Sequence, residues 1–95
     1  MAAYLIADVN IHDAALYEEY KELTPPTVAA YGGKFIARGG TVDTLEGEWP
    51  ARRIVIVEFP SRDHARRWLE SPEYSTARNM RHRASSAKIL VVEGI

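Results

Sequence analysis

The sequence predicts an α+β domain of ferredoxin-like order, β-α-β-β-α-β, with a four-stranded antiparallel sheet. Three observations predict this fold. Four short segments alternate between two sets of side chains or are rich in β-branched residues, which is typical of strands. Apolar residues recur at helical spacing after the first and third segments. The second and third segments are joined by a loop instead, as in a hairpin. The 95 residues make one domain, residues 1–95.

The first strand is predicted at YLIADVN, residues 4–10, where alternate side chains are apolar. Asp13 then caps a helix, since its carboxylate can accept hydrogen bonds from free N–H groups. Pro25 and Pro26 fall inside the helical pattern that follows. Because proline disfavours helical geometry at the preceding residue, the sequence predicts a break there and a second short helix to about Tyr31.

The second strand lies within GGKFIARGG, residues 32–40, between two glycine pairs. This run does not match a phosphate-binding loop, because a Walker motif places Lys and Ser or Thr after its second glycine. The glycines are interpreted as tight turns at both ends of the strand. An irregular connection follows, with room for a short strand at 41–45. The strongest strand is RRIVIVEF, residues 52–59, which is β-branched and lies between two prolines.

The last third of the chain is predicted to form two short helices and a strand. Ser61 caps the first helix, whose inward face includes Trp68. Ser71-Pro72 starts the second, since proline is favoured in the first turn, and this helix runs to about Arg83. KILVVE, residues 88–93, is the final strand.

Composition excludes several classes of function. The chain has no cysteine, which excludes disulfides, thiolate metal sites and cysteine nucleophiles. The three histidines lie far apart without a metal-binding spacing, so no metal and no cofactor are expected. A net charge of −1 gives no pull toward nucleic acid, and no apolar run approaches the roughly 20 residues of a membrane span. With no secretory leader pattern, the expected location is the cytoplasm.

The strand residues divide into two faces. One set is apolar and is assigned to the side that packs on the helices: Leu5, Ala7, Val9, Phe35, Ala37, Val55, Val57 and Phe59. The other set is isoleucine-rich at its centre and polar at its ends: Tyr4, Ile6, Asp8, Lys34, Ile36, Arg38, Ile54, Ile56 and Glu58. This second face is too apolar for solvent and too charged for a core. A homodimer that pairs two such faces around a partly polar cavity satisfies both constraints.

Five strings occur in order across nearly the whole chain: YGGKFIARGG, LEGEWP, RRIVIVEFPS, WLESPEY and ILVVEG. Together they resemble a family of bacterial proteins of about this length that is known only as a domain of unknown function. That family belongs to the dimeric α/β-barrel superfamily, which includes cofactor-independent monooxygenases, muconolactone-isomerase-like enzymes and stress-responsive proteins. The resemblance implies the fold and a homodimer. It carries no reaction and no catalytic set.

Arg38 is the first candidate site residue. At the end of a strand on the open face, it is expected to point into the mouth of the cavity, at the same end of the sheet as Asp8. One interpretation is that it binds a ligand carboxylate or an enolate-like oxygen in bidentate fashion. The other is that it forms an ion pair with Asp8 or with an acidic residue of the loop 41–48.

Glu58 and Trp49 are the other candidates. If the hairpin pairs Ile36 with Ile56, Glu58 faces Lys34 and forms an ion pair with it. Alternatively, Glu58 is a desolvated general base, with Tyr4 beside it to bind a ligand. Trp49 lies in a loop, where it either plugs a core or dimer seam or forms a lid over the cavity.

Two functions are expected from these residues. The first is a cofactor-free enzyme or binder that holds a small carboxylate or aromatic molecule on the open face, with Glu58 and Arg38 as catalytic candidates and Arg38, Asp8, Tyr4 and Trp49 as substrate-binding candidates. The alternative is a non-catalytic homodimer that binds a metabolite in regulation or stress. RNA binding is not expected, because base stacking needs several exposed aromatics and this face offers only Tyr4.

Overall fold

The computed structural model of the chain describes residues 1–50 and 52–95. Its elements are β1 (Ala3–Ile11), α1 (Ala14–Ala30), β2 (Lys34–Arg38), β3 (Arg53–Phe59), α2 (Arg62–Glu70), α3 (Pro72–Ala84) and β4 (Ser85–Glu93). The strands form an antiparallel sheet in the order β2-β3-β1-β4, so the predicted ferredoxin-like fold is confirmed. Residues 41–45 lie outside any strand. No helix in the described ranges is long and apolar enough to cross a membrane.

The core lies between the three helices and one face of the sheet. Val57 and Phe59 of β3 are buried there, together with Trp68 of α2, as predicted. The centroid of the Trp68 ring lies 4.1 Å from that of Tyr74 and 5.7 Å from that of Phe59. The indole Nε1 of Trp68 donates to Oγ1 of Thr27 at 3.0 Å, so burial leaves no unsatisfied donor on this side chain.

Helix α1 runs unbroken from Ala14 to Ala30, with Pro25 and Pro26 inside it, so the predicted break is wrong. Proline at position 25 lacks the N–H that would donate to the carbonyl of Lys21, four residues earlier. Nη2 of Arg38 donates to this carbonyl instead, at 2.7 Å. A side chain of β2 therefore supplies a hydrogen bond that the helix itself cannot make.

The two predicted helix caps, Asp13 and Ser61, are confirmed, and Ser71 caps the helix that Ser71-Pro72 was predicted to start. Oδ1 of Asp13 accepts from the backbone N–H of Leu16 at 3.1 Å, and Ser61 caps α2 in the same way. Ser71 serves two helices at once. Its Oγ donates to the carbonyl of Trp68 at 2.8 Å and accepts from the N–H of Tyr74 at 3.2 Å. One hydroxyl therefore ends α2 and begins α3, which fixes the angle between them.

Strand β2 contains a β-bulge that exchanges the faces of its second half. Before the bulge Phe35 pairs with Val57, and after it Arg38 pairs with Val55, so β2 has one extra residue between the two pairs. Because Val55 and Val57 face the helices, Arg38 lies on the helix side and Ala37 on the open side. The sequence predicted Ala37 on the helix side and Arg38 on the open side, and both assignments are wrong. They assumed strict alternation, which does not allow for the extra residue of a bulge.

Candidate functional site

The open face of the sheet carries a groove of about 780 Å³ between β1, β4 and the loop that precedes β3. Ile6 and Leu90 contribute apolar wall, and Trp49 and Pro50 form the loop side. This volume falls within the roughly 300–1,000 Å³ typical of small-molecule pockets. The groove is open to solvent, so a ligand can reach it without a change in the fold.

Trp49 is held over this groove by a long-range hydrogen bond. Its indole Nε1 donates to Oδ2 of Asp8 on β1 at 2.9 Å, and its carbonyl accepts from Oγ1 of Thr44 at 3.2 Å. Gly47 turns the chain just before it, with φ of 76°. The exposed fraction of Trp49 is 59%. Trp49 therefore lies on the open face and not in the core of its own protomer. The lid and the dimer seam both remain predictions.

Cationic side chains flank the same groove. Lys88 of β4 pairs in register with Asp8, and Arg52 also lines the cavity. Among the ion pairs of the described residues, neither Lys88 nor Arg52 has a carboxylate partner. At one edge, Nε2 of His12 lies 2.8 Å from Oγ of Ser86. The groove thus combines an indole ring, an apolar floor, two cations and the carboxylates of Asp8 and Glu48. The indole ring and the two cations suit a flat molecule that carries a negative charge.

Arg38 does not line this groove. Its guanidinium donates to the carbonyl of Lys21 and lies over the ring of Phe35, 4.4 Å from the centroid. The expected pairing with Asp8 or with a carboxylate of the loop is wrong, because the bulge places Arg38 on the opposite side of the sheet from Asp8. That Arg38 binds a ligand remains a prediction, and any such ligand would lie on the side of the sheet that packs on the helices.

Glu58 lies at the other end of the open face. Its Oε2 is 3.7 Å from Nζ of Lys34, so the predicted ion pair is present, and Tyr4 pairs with Glu58 in register. The assumed pairing of Ile36 with Ile56 is wrong, since Ile56 pairs with Ala37. Tyr4 and Asp8 are four positions apart along β1, which corresponds to a distance of about 13 Å. Glu58 and Tyr4 therefore form a separate cluster from Asp8 and Trp49.

A second, small cavity of about 30 Å³ lies between the sheet and the helices. Its lining includes Arg53 and Arg81, which the sequence reasoning did not single out, besides Arg38 and the aromatic rings of Tyr17 and Tyr20. The available signal for Arg53 was its spacing of two and four from Val55 and Val57, which places it on the helix side. The structure agrees, since Arg53 pairs with the buried Val9. For Arg81 the signal was its spacing of four and seven from Ala77 and Tyr74, both buried.

A buried hydroxyl network borders this small cavity. The hydroxyl oxygens of Tyr20 and Tyr74 are 2.7 Å apart, and Nε of Arg81 donates to the Tyr74 hydroxyl at 3.2 Å. Burial raises the pKa of Tyr20 far above its ordinary value, and the neighbouring Tyr74 adds to this shift. Tyr20 is therefore a neutral phenol that can donate a hydrogen bond at any physiological pH.

Metal ligation has no evident place in either cavity. Within residues 1–50 and 52–95, no three His, Asp or Glu side chains come close enough together to hold an ion. The small cavity offers cationic, phenolic and apolar groups, and the groove offers two cations, an indole ring and the carboxylates of Asp8 and Glu48.

Three solved structures share this fold. A protein of unknown function from Rhodopseudomonas palustris superimposes with a TM-score of 0.79 at 18% identity, over 99% of this chain and 82% of that one. A cofactor-independent oxygenase from Streptomyces nogalater has a TM-score of 0.61 at 17% identity, over 99% and 93%. A protein provisionally assigned as an antibiotic biosynthesis monooxygenase from Nitrosomonas europaea has a TM-score of 0.59 at 18% identity, over 99% of this chain and 90% of that one. At these identities the likeness concerns the fold.

No curated protein matches the chain. The family comparison agrees with the resemblance drawn from the sequence strings. The model of a domain of unknown function, DUF1330, matches residues 2–95, and the chain belongs to this family.

Proposed function

We propose that this chain forms a homodimer through the open face of its sheet and binds a small aromatic or carboxylate molecule, without a cofactor, in the groove beneath Trp49. The observation that carries the proposal is the hydrogen bond from the Trp49 indole to Asp8. It fixes an aromatic wall in a groove whose other described lining residues are not aromatic. Because the indole N–H is already hydrogen-bonded to Asp8, Trp49 would contact a ligand by stacking with its ring.

The exposed apolar side chains of this face support the pairing. Ile36 is 49% exposed, Leu90 59% and Val92 48%. A contiguous apolar face of this kind on a small domain marks an interaction surface. A second copy is the simplest occupant, because a two-fold pairing presents the same face from both partners. The pairing would also close the groove from solvent and strengthen the electrostatic contacts inside it.

Two of the four charged side chains that line the groove support an anionic ligand. Lys88 and Arg52 have no carboxylate partner within the described chain, and Arg can hold a carboxylate through two parallel hydrogen bonds. Asp8 already accepts from the indole, so its proposed part in ligand binding is to orient the ring. An aromatic carboxylate matches both features.

Conversion of the bound molecule is a second candidate function. The fold likeness to a cofactor-independent oxygenase favours an assay for it, with electron-rich aromatic substrates in the presence of oxygen. Of the two predicted catalytic residues, Glu58 belongs to the open face, whereas Arg38 lies on the helix side. Chemistry by Glu58 and Tyr4 would therefore act on a part of the molecule that reaches their end of the open face, about 13 Å from Asp8, and would not use Arg38.

Thermal shift with sodium benzoate tests the binding proposal, with benzamide as the neutral control of the same shape. We expect benzoate to raise the melting temperature of the wild type and benzamide to have little effect. Lys88→Met should abolish the benzoate effect. Lys34→Met removes an exposed lysine at the far end of the same face and should retain it. Equal shifts in both variants, or none in the wild type, would refute the groove as the site.

A further inference from the structure

The cavity between the sheet and the helices has an unusual charge pattern. Its described lining contains four cationic side chains and no Asp or Glu. Lys21 is compensated, because its Nζ lies 2.9 Å from Oε1 of Glu18. Arg38, Arg53 and Arg81 have no carboxylate partner among the ion pairs of the described residues. Three guanidinium groups therefore border one cavity without a counter-ion.

Arg53 is the least satisfied of the three. Its Nε is buried and has no hydrogen-bond partner in the described chain. Its guanidinium lies over the ring of Tyr17, with Cζ 5.3 Å from the centroid, and against Gly39, where a Cβ would overlap Nη1. Glycine and an aromatic ring therefore hold the group in place but do not neutralise it. A half-buried charge without a partner is costly, so the site favours an anion.

Arg81 is only 7% exposed and lines the cavity from α3, whereas Arg53 lines it from the sheet. It donates to the Tyr74 hydroxyl, and its Nη2 lies 3.2 Å from Nε2 of His82. Both contacts are with neutral partners when His82 is unprotonated. Tyr74 in turn contacts the hydroxyl of Tyr20, which lines the cavity. The wall opposite Arg53 thus also offers positive charge and a phenol donor.

We propose that this cavity is an anion site that binds the carboxylate of a short aliphatic acid, with Arg53 as its principal ligand. The volume of about 30 Å³ admits only a few atoms beyond the lining side chains. The apolar remainder of the wall suits a short hydrocarbon stem and disfavours a strongly hydrated inorganic ion. The site lies on the opposite side of the sheet from the groove beneath Trp49, and its occupancy does not depend on dimerisation.

The two tryptophans allow the two sites to be read separately, because Trp68 lines this cavity and Trp49 lines the groove. In a Trp49→Phe protein, all indole fluorescence comes from Trp68. We would titrate this protein with sodium propionate, with sodium chloride at equal ionic strength, and with propionamide, the neutral analogue. The expected result is a saturable change with propionate alone.

Arg53→Met in the same background should weaken propionate binding at least tenfold, because it removes a charge-assisted contact. Arg66→Met is the matched control, since Arg66 is an exposed arginine of α2, and its affinity should equal that of the parent. Without ligand, Arg53→Met should melt no lower than the parent, since it removes an unpaired charge. Arg53→Gln serves as a second variant.

Each other outcome overturns the proposal. An equal response to chloride or propionamide would exclude carboxylate recognition, and unchanged affinity in Arg53→Met would exclude Arg53. Unfolding of both Arg53 variants would show that this side chain has a structural partner. The benzoate test of the groove uses Lys88 and the opposite face, so either site can fail while the other stands.

Discussion

The guanidinium of Arg38 donates to the carbonyl of Lys21 at 2.7 Å, which is the carbonyl that Pro25 leaves without a helical N–H. Arg38 therefore stabilises α1 from the neighbouring strand. The relationship accounts for the helical hydrogen bond that is lost at the first of the two consecutive prolines. It also yields a prediction, because the need for Arg38 depends on the identity of residue 25.

Arg38→Met should lower the free energy of unfolding by about 1–3 kcal/mol, since it leaves the Lys21 carbonyl unsatisfied. In a Pro25→Ala background the same substitution should cost clearly less, because alanine restores the backbone donor. Urea denaturation of the four proteins of this double-mutant cycle measures the coupling. An equal loss in both backgrounds would show that Arg38 stabilises the protein in some other way, such as its contact with Phe35.

Gly39 should not tolerate a side chain. Its φ is 75°, and a Cβ would overlap the guanidinium of Arg53. We expect Gly39→Ala to lower the free energy of unfolding by roughly 1–3 kcal/mol. Gly40→Ala is the control, because a Cβ there has no described atom within 4 Å. The two variants should differ clearly in urea midpoint, and equal midpoints would contradict this account of Gly39.

The open face should mediate a dimer that a charge can disrupt. Multi-angle light scattering is expected to give twice the mass of the 10.7 kDa chain for the wild type. Leu90→Lys places a cation among the exposed apolar side chains of β4 on the open face and should yield a monomer. Leu23→Lys, at a leucine of α1 that is 44% exposed, should leave the dimer intact. A wild-type monomer at micromolar concentration would refute the pairing.

His82 should make the protein less stable as the pH falls. Burial lowers the pKa of His82 below 6.5, and the cations Arg81 and Arg78 contribute to the shift. The unfolded chain therefore binds more protons than the folded chain in this range, so stability decreases as the pH drops through and below 6.5. Between pH 8 and pH 5 the melting temperature of the wild type should fall further than that of His82→Gln. Parallel curves would contradict the sign of this linkage.

Most of the fold could be predicted because it follows from local patterns. The β-branched run of β3, the three caps and the Ser71-Pro72 restart are each encoded within a few residues. The continuity of α1 could not be predicted in this way, since the hydrogen bond that replaces the one lost at Pro25 comes from Arg38, 17 residues after Lys21. Short-range rules for proline describe an isolated helix, and tertiary contacts overrode them here.

The candidate site was harder to predict for one geometric reason. The alternation of side chains fixes faces only while the register is regular, and the bulge in β2 interrupts it. Tyr4, Asp8 and Glu58 lie on regular strands and were assigned to the correct face, whereas Arg38 lies beyond the bulge. The contact between Trp49 and Asp8 crosses 41 residues through a loop, which no periodicity describes.

The bulge also makes the distance between the two glycine pairs a parameter that an engineer could change. Five residues separate Gly33 from Gly39, one of which is the extra residue of the bulge. Deletion of Ile36 would return β2 to strict alternation with Ala37 still opposite Ile56 and Arg38 still opposite Val55, so both side chains would keep their present faces. If all five residues alternated strictly instead, Arg38 would share a face with Lys34, the one that carries Asp8 and Trp49. The extra residue therefore decides that this arginine supports a helix and does not join the surface groove.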